Sequence, residues 1–212
     1  MFGPLRYIGE PIVLLVLVIA FLFGLVLHNV VQTRVAASFG DRSALLAGFG
    51  RTDPQRHFDL FSLLWYAVLG FGRVQPIPLR LSGRPGVLTM LAGPLTLFVW
   101  AFVLLVAERL LDGASGSAGS AALALRAGLS LAAGASLLHT AFYLIPLPGL
   151  DGGRALWVSG NREGRLFLSR IEAAGPIVYL LIWVVLSFTG VLGAIITPLT
   201  LAMQRLLGLL PL

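Results

Sequence analysis

The sequence predicts an all-α membrane protein, a polytopic helical bundle with about five transmembrane helices and one short re-entrant segment. Of its 212 residues, 58% are hydrophobic and only 11% are charged, whereas soluble domains average about 25% charged residues. The apolar residues form runs of about 20, the length at which a helix crosses a ~30 Å hydrocarbon layer. We expect residues 1–212 to form a single integral-membrane domain, with no separate soluble domain.

Charge and cysteine content narrow the possible functions. The chain has no cysteine, which excludes disulfides and cysteine-ligated zinc sites. Its formal net charge of +6 rests on 15 basic residues, all of them arginine. A basic chain can bind nucleic acid, but these arginines flank the apolar runs, where they set membrane orientation. The sequence therefore predicts a membrane protein without a nucleic-acid partner.

The first half of the chain predicts one full span and one short apolar segment. The first span runs from about Pro11 to Arg34, and a polar loop follows over Ser38–Asp59. Leu60–Phe71 is apolar but has only 12 residues, which predicts a re-entrant or interfacial segment rather than a crossing. Gly72–Pro85 contains three prolines, which predicts a loop or a short strand.

The second half predicts the remaining spans. Val87–Leu111 is the second full span, and the Gly/Ser/Ala-rich stretch Asp112–Ser120 is a flexible linker. The third span covers about Leu123–Ile145, and Arg154–Arg170 is a polar loop. The last 40 residues predict two further spans, or a helical hairpin, divided near Gly190.

The arginines predict the orientation of these spans. Seven lie between the first and second full spans and four follow the third, against three on the opposite side. Arginine-rich loops stay in the cytoplasm, so we expect a bacterial plasma-membrane protein with its N-terminus outside. This topology places two distant residues at similar depth on the cytoplasmic side, His28 and Asp151.

A histidine inside the first predicted span is the most informative residue. It opens a stretch with the frame of the metalloprotease motif H-E-x-x-H, with the second and fifth residues replaced: His28-Asn29-Val30-Val31-Gln32. In the intact motif the two histidines share a helix face and bind zinc, and the glutamate activates the metal-bound water. A second notable stretch follows the third span: Pro146-Leu147-Pro148-Gly149-Leu150-Asp151-Gly152.

Together these stretches resemble the site-2 protease family, the M50-type intramembrane zinc metalloproteases. The second stretch resembles the P-x-P-x-L-D-G motif of that family, and further weak matches follow in order at 38–44, 53–59, 70–78, 91–95 and 171–176. The match covers about residues 10–205. The resemblance implies that His28 and Asp151 stand at the first and third zinc-ligand positions, Gln32 at the second, and Asn29 at the position of the general base.

The departures from the family fall on the catalytic positions. A carboxamide such as Asn29 accepts no proton near neutral pH, and the amide oxygen of Gln32 is a weak, uncharged zinc ligand. Tyr143 stands where the family usually has an asparagine. Zinc is therefore expected to be absent or weakly bound here. The resemblance implies a catalytically impaired pseudoprotease that retains the fold and binds a transmembrane partner.

Two other functions remain open from the sequence. The chain could be an active intramembrane zinc metalloprotease with a non-standard site, in which His139 serves as the substitute ligand. A small transporter or channel is a third class, but its usual signs are charged residues in mid-span or paired broken helices, and the sequence shows neither clearly.

Each polar residue also has a structural interpretation. His28 could be a bundle residue bonded to Asn29, Gln32 or Asp151, because ionisable groups in a membrane find partners. Gln32 could hydrogen-bond between helices, and Asp151 could accept from backbone amides at 149–153. His57 lies in a polar loop and is expected at the surface. The Gly-Pro pairs at 93–94 and 175–176 are expected to be helix starts and packing points.

Overall fold

The computed structural model describes residues 3–114, 119–174, 185 and 189–210, and within them it contains helices and no strands. A 3-10 turn at Pro4–Tyr7 precedes the first helix. The helices are α1 (Pro11–Ser38), α2 (Ser43–Leu46), α3 (Pro54–His57), α4 (Leu60–Leu69), α5 (Gly83–Ala114), α6 (Ser120–Leu144), α7 (Asp151–Val158), α8 (Arg162–Ala173) and α9 (Val191–Gly208).

Four of these helices, α1, α5, α6 and α9, are long and apolar enough to cross a membrane. This confirms the prediction of an all-α membrane bundle. The predicted span between Ile171 and Gly190 lies largely outside the described residues. With ten residues, α4 is too short to cross, as its sequence predicts.

Local sequence fixes where several helices begin and end. Pro11 occupies the first turn of α1, where a missing N–H costs nothing. Asp59 caps α4 by accepting a hydrogen bond from the Ser62 N–H at 2.6 Å, and Gly70 ends it with φ +82°. Gly190, with φ +75°, precedes α9, so a helix begins where the sequence predicts a division.

Two expectations about the helices are wrong. The region predicted as a polar loop over Arg154–Arg170 is mostly helical and lies largely within α7 and α8. Asn161 caps α8, and Gly164 and Leu168, four residues apart, form its buried side. The pair Gly93–Pro94 does not start a helix but lies within α5.

Helix α1 packs against both α5 and α6 through small residues. A Cβ added at Gly24 would lie 2.4 Å from Cδ1 of Trp100 on α5, and one added at Gly128 of α6 would lie 2.7 Å from Cβ of Val16. The Trp100 indole N–H also donates to the Ala20 carbonyl at 2.8 Å. Small residues and interhelical hydrogen bonds hold helices together in lipid, where water drives no association. This packing holds α1 between its two neighbours.

Candidate functional site

The site centres on a contact between two residues far apart in sequence. His28, on α1, is 1% exposed, and Asp151, the first residue of α7, is 4% exposed. The histidine Nε2 lies 2.6 Å from the aspartate Oδ2 across a separation of 123 residues. The similar depth predicted for these two residues is confirmed. The aspartate makes no hydrogen bond to the backbone amides of 149–153, all of which lie within the described chain.

Both nitrogens of the His28 ring face oxygen atoms. Nε2 faces the Asp151 carboxylate, and Nδ1 lies 3.1 Å from the side-chain oxygen of Asn29. Both oxygens are acceptors, so a hydrogen on either ring nitrogen completes the contact on that side. A histidine that binds a metal must instead present a lone pair. The ring is thus arranged as a hydrogen-bond donor.

Asn29 joins the histidine to the segment that connects α4 with α5. Its amide nitrogen donates to the Gln75 carbonyl at 2.9 Å, which leaves its oxygen facing His28. The Gln75 N–H in turn donates to the His57 carbonyl at 2.7 Å. At the position that the family resemblance assigns to a base, Asn29 thus forms hydrogen bonds in two directions.

Gln32 donates a hydrogen bond to a backbone carbonyl of α5 that lacks its usual helical donor because of a proline. Its amide nitrogen donates to the Met90 carbonyl of α5 at 2.9 Å. In an unbroken helix that carbonyl would accept from the residue four positions later, which is Pro94 and has no N–H. A freed carbonyl inside a membrane needs another donor, and Gln32 supplies it. The interhelical hydrogen bond predicted for Gln32 is confirmed.

Gly93 brings the backbone of α5 directly against these side chains. A Cβ added there would lie 2.3 Å from the His28 Nε2 and 2.5 Å from the Gln32 Nε2. Real Cβ atoms do not approach this closely, so the contact requires glycine. The expectation that Gly93 is a packing point is confirmed.

Two residues of α6 hold the extended segment 71–82. The Gly72 N–H donates to His139 Nε2 at 2.9 Å, and the ring donates from Nδ1 to the Ala135 carbonyl at 2.7 Å. The Tyr143 hydroxyl accepts from the Val74 N–H at 2.9 Å. Both nitrogens of His139 are therefore bonded to the backbone. Its role as a substitute zinc ligand stays a prediction.

The surroundings of Asp151 are cationic. Arg154, one turn along α7, donates to the Ile77 carbonyl at 2.5 Å. Burial lowers the pKa of Arg154, and the negative charge of Asp151 opposes that change. Nη1 of Arg73 lies 3.5 Å from the position of a Cβ on Gly149, two residues before Asp151. Guanidinium groups therefore lie near the turn that leads into α7 and along its first turn.

His57 is buried rather than exposed, so its expected surface position is wrong. It is 0% exposed, and its Nε2 donates to the Arg51 carbonyl at 2.8 Å. Its Nδ1 has no hydrogen-bond partner among the described residues. Burial lowers the pKa of His57, so the neutral ring is the favoured form. The polar sequence around it gave no sign that the loop folds back over the end of α1.

The donors present do not fit a catalytic zinc centre, which needs three protein ligands. Across 3–114, 119–174 and 189–210, no three histidine or carboxylate groups are arranged to hold a metal ion. Of the three ligand positions that the family resemblance assigns, two hold side chains that commonly bind zinc, His28 and Asp151, and the third holds the amide of Gln32.

Comparison with known proteins identifies one relative. A protein of Bacillus subtilis (strain 168) named "Putative zinc metalloprotease YwhC" is 33% identical to the chain over 190 residues. The match covers 84% of the chain and 85% of the Bacillus protein. No family model matches the chain, and no solved structure matches it.

Proposed function

The chain belongs to a zinc metalloprotease family, that of the Bacillus relative, and from this premise we propose that it is a site-2-protease-like membrane protein without peptidase activity. Its proposed role is to bind the transmembrane segment of a partner protein. The orientation that goes with this role has the His28–Asp151 contact near the cytoplasmic face of the plasma membrane.

One observation carries the proposal. The residues at the base position and at the second ligand position, Asn29 and Gln32, both donate to backbone carbonyls. Neither amide can take a proton from water, and neither is a strong zinc ligand. With His28 bonded directly to Asp151, the polar groups of the site satisfy one another. A site of this kind stabilises the fold and lacks the general base and the third zinc ligand of a hydrolytic centre.

A groove on the same bundle supports the binding role. It has a volume of about 610 Å³ and lies between the N-terminal turn, α4 and α6, within the usual size range of protein binding pockets. Its lining is mostly apolar and includes Tyr7, Tyr66, Phe71, Leu131, Gly134 and Leu138. Phe71 connects this groove to His139, because the rings of these two residues lie 5.7 Å apart. The N–H of the neighbouring Gly72 also donates to His139.

Zinc content and cleavage test the loss of activity. The protein is purified in detergent without chelators, zinc is measured by mass spectrometry, and cleavage of a model transmembrane substrate is followed. We expect neither stoichiometric zinc nor cleavage. The double variant Asn29→Glu/Gln32→His restores a carboxylate at the base position and a histidine at the second ligand position. We expect this variant to bind zinc and to lose it after a further His28→Ala substitution.

The alternative of an active zinc protease makes the opposite forecast, and it is favoured by the retention of His28 and Asp151 together. Stoichiometric zinc in the unmodified protein, lost in His28→Ala and accompanied by cleavage, would establish that alternative and overturn the pseudoprotease proposal. Cleavage that survives His28→Ala would point to a contaminating protease.

Photocrosslinking tests the groove as the binding surface. A photoreactive residue at Leu131 of the groove is compared with one at Val99, an exposed position of α5. We expect a discrete protein adduct from position 131 alone. Gly134→Phe should abolish it by filling the groove, since a Cβ there meets open space. Gly193→Phe is the matched control, because it also enters open space but lies outside the groove lining.

A further inference from the structure

A second cavity, remote from the groove, lies where α1 ends and where the extended segment 71–82 approaches α5. Its volume is about 450 Å³. Six of its lining residues matter here: Phe39, Asp41, Arg42, Leu46, Arg80 and Leu81. They come from two stretches about 40 residues apart in sequence, so the cavity is a product of the fold.

Asp41 fixes the geometry of this cavity. Its Oδ1 accepts from the Ser43 N–H at 3.0 Å and from the Ser43 hydroxyl at 2.6 Å. Its Oδ2 accepts from the Arg80 N–H at 2.6 Å. Burial raises the pKa of Asp41, but these hydrogen bonds outweigh it and hold the pKa below the ordinary value. The carboxylate thus joins the two stretches and has both oxygens engaged.

The side chains of Arg42 and Arg80 line the same cavity, and the charge of Arg80 contributes to the low pKa of Asp41. Arg42 and Arg80 are both exposed, and neither side chain makes a hydrogen bond or ion pair with any residue that the structure describes. Two guanidiniums against one carboxylate leave the lining with a net charge of +1. Guanidinium groups bind phosphate through paired N–H donors, so an oxyanion is the complementary ligand.

The rim of the cavity includes two exposed apolar side chains, and the length of α1 indicates its depth in a membrane. Leu46 is 88% exposed and Phe39 is 42% exposed. Helix α1 has 28 residues, which gives it a length of ~42 Å at ~1.5 Å per residue. The hydrocarbon layer is ~30 Å thick, so the last turn of α1 and the cavity beyond it lie at headgroup depth.

We propose that this cavity binds the headgroup of an anionic phospholipid from the adjacent leaflet. Arg42 and Arg80 hold the phosphate, and Phe39 and Leu46 contact the upper part of the acyl chains. The site needs neither zinc nor proteolysis, so it is independent of the function proposed above. Its position beside the start of α5 makes the bound lipid a contact between the bilayer and the helix that carries Gly93.

Binding of short-chain lipids to the purified protein tests the site. Dihexanoyl phosphatidylglycerol and dihexanoyl phosphatidylcholine have the same acyl chains and differ in headgroup charge. Native mass spectrometry and calorimetry in detergent should show saturable binding of one phosphatidylglycerol with preference over phosphatidylcholine. Arg42→Gln/Arg80→Gln should weaken that binding by about 30-fold, the loss expected for two arginines at a lipid surface.

The matched control is Arg34→Gln/Arg51→Gln, which removes two exposed arginines from the same side of the protein. It should leave the affinity nearly unchanged, and both doubles should melt at the temperature of the unmodified protein. An equal loss in the control, or equal binding of phosphatidylcholine, would contradict the proposal. Inorganic phosphate is the third arm, and full displacement of the lipid at millimolar phosphate would assign the site to free phosphate instead.

Discussion

Two contacts between α1 and α5 are built from the same parts, although only one of them lies at the site. Near the middle of α1, Gly24 admits the ring of Trp100, whose N–H donates to a backbone carbonyl of α1. One to two turns farther along α1, at His28 and Gln32, Gly93 lets the backbone of α5 approach α1 closely. There the Gln32 amide donates to the Met90 carbonyl of α5. Each contact pairs a glycine with one side-chain N–H on a carbonyl. The difference is that the second contact borders the buried His28–Asp151 pair.

The largest expected effect is a loss of stability when the His28–Asp151 pair, which borders only the second contact, is broken. Asp151→Ala leaves a buried imidazole without its partner, and removing one member of a buried pair costs about 3–5 kcal/mol. Unfolding of the detergent-solubilised protein by sodium dodecyl sulfate measures the change. The double variant His28→Leu/Asp151→Leu should recover most of the loss. If Asp151→Ala costs no more than Trp100→Phe, the pair has no special role in stability.

The next effect tests the two glycines against each other. Gly24→Ala and Gly93→Ala each place a Cβ within 2.4 Å of a ring atom of the other helix, and overpacking of this kind costs about 1–3 kcal/mol. The same unfolding measurement applies. Gly134→Ala, in open space, is the control and should be neutral. A neutral Gly93→Ala would mean that α5 can move away from His28 without loss.

A smaller effect isolates the hydrogen bond of Gln32. Gln32→Leu leaves the Met90 carbonyl unpaired, at a cost of about 0.6–2 kcal/mol. Pro94→Ala supplies the N–H that this carbonyl lacks within α5. In a double-mutant cycle, Gln32→Leu should therefore cost less in the Pro94→Ala background. Additive effects of the two substitutions would show that the glutamine does not serve the carbonyl freed by the proline.

The smallest expected effect is a pH dependence of the stability, which arises from His57 at the end of α3. Burial lowers the pKa of His57 below the ordinary 6.5, so the unfolded chain binds more protons than the folded one in acid. The stability from neutral His57 is complete above about pH 6.5 and is lost as the pH falls below it. The melting temperature should fall less between pH 7.5 and 5.5 in His57→Gln than in the unmodified protein. Equal slopes would contradict this prediction.

The sequence predicts the four spans that the structure describes, because apolar length alone defines them. It also predicts that His28 and Asp151 lie at a similar depth, because the number of spans and the positions of the arginines place both residues toward the same side. It misses α7 and α8 because their polar residues conceal the short buried sides that pack on the bundle. The burial of His57 depends on how a loop folds back, which local composition does not encode. The partner of Gln32 could have been found, since Pro94 marks Met90 as a carbonyl without a donor.

The carbonyl freed by Pro94 also bears on whether the proposed loss of activity could be reversed. Gln32→His would bring back a ligand type but withdraw the amide from Met90, and Asn29→Glu would replace a donor to Gln75 with a carboxylate that repels its carbonyl. Each step toward a hydrolytic centre therefore weakens a contact on which the helices now depend. Reversion would have to pass through less stable intermediates, which gives the proposed loss of activity an evolutionary direction.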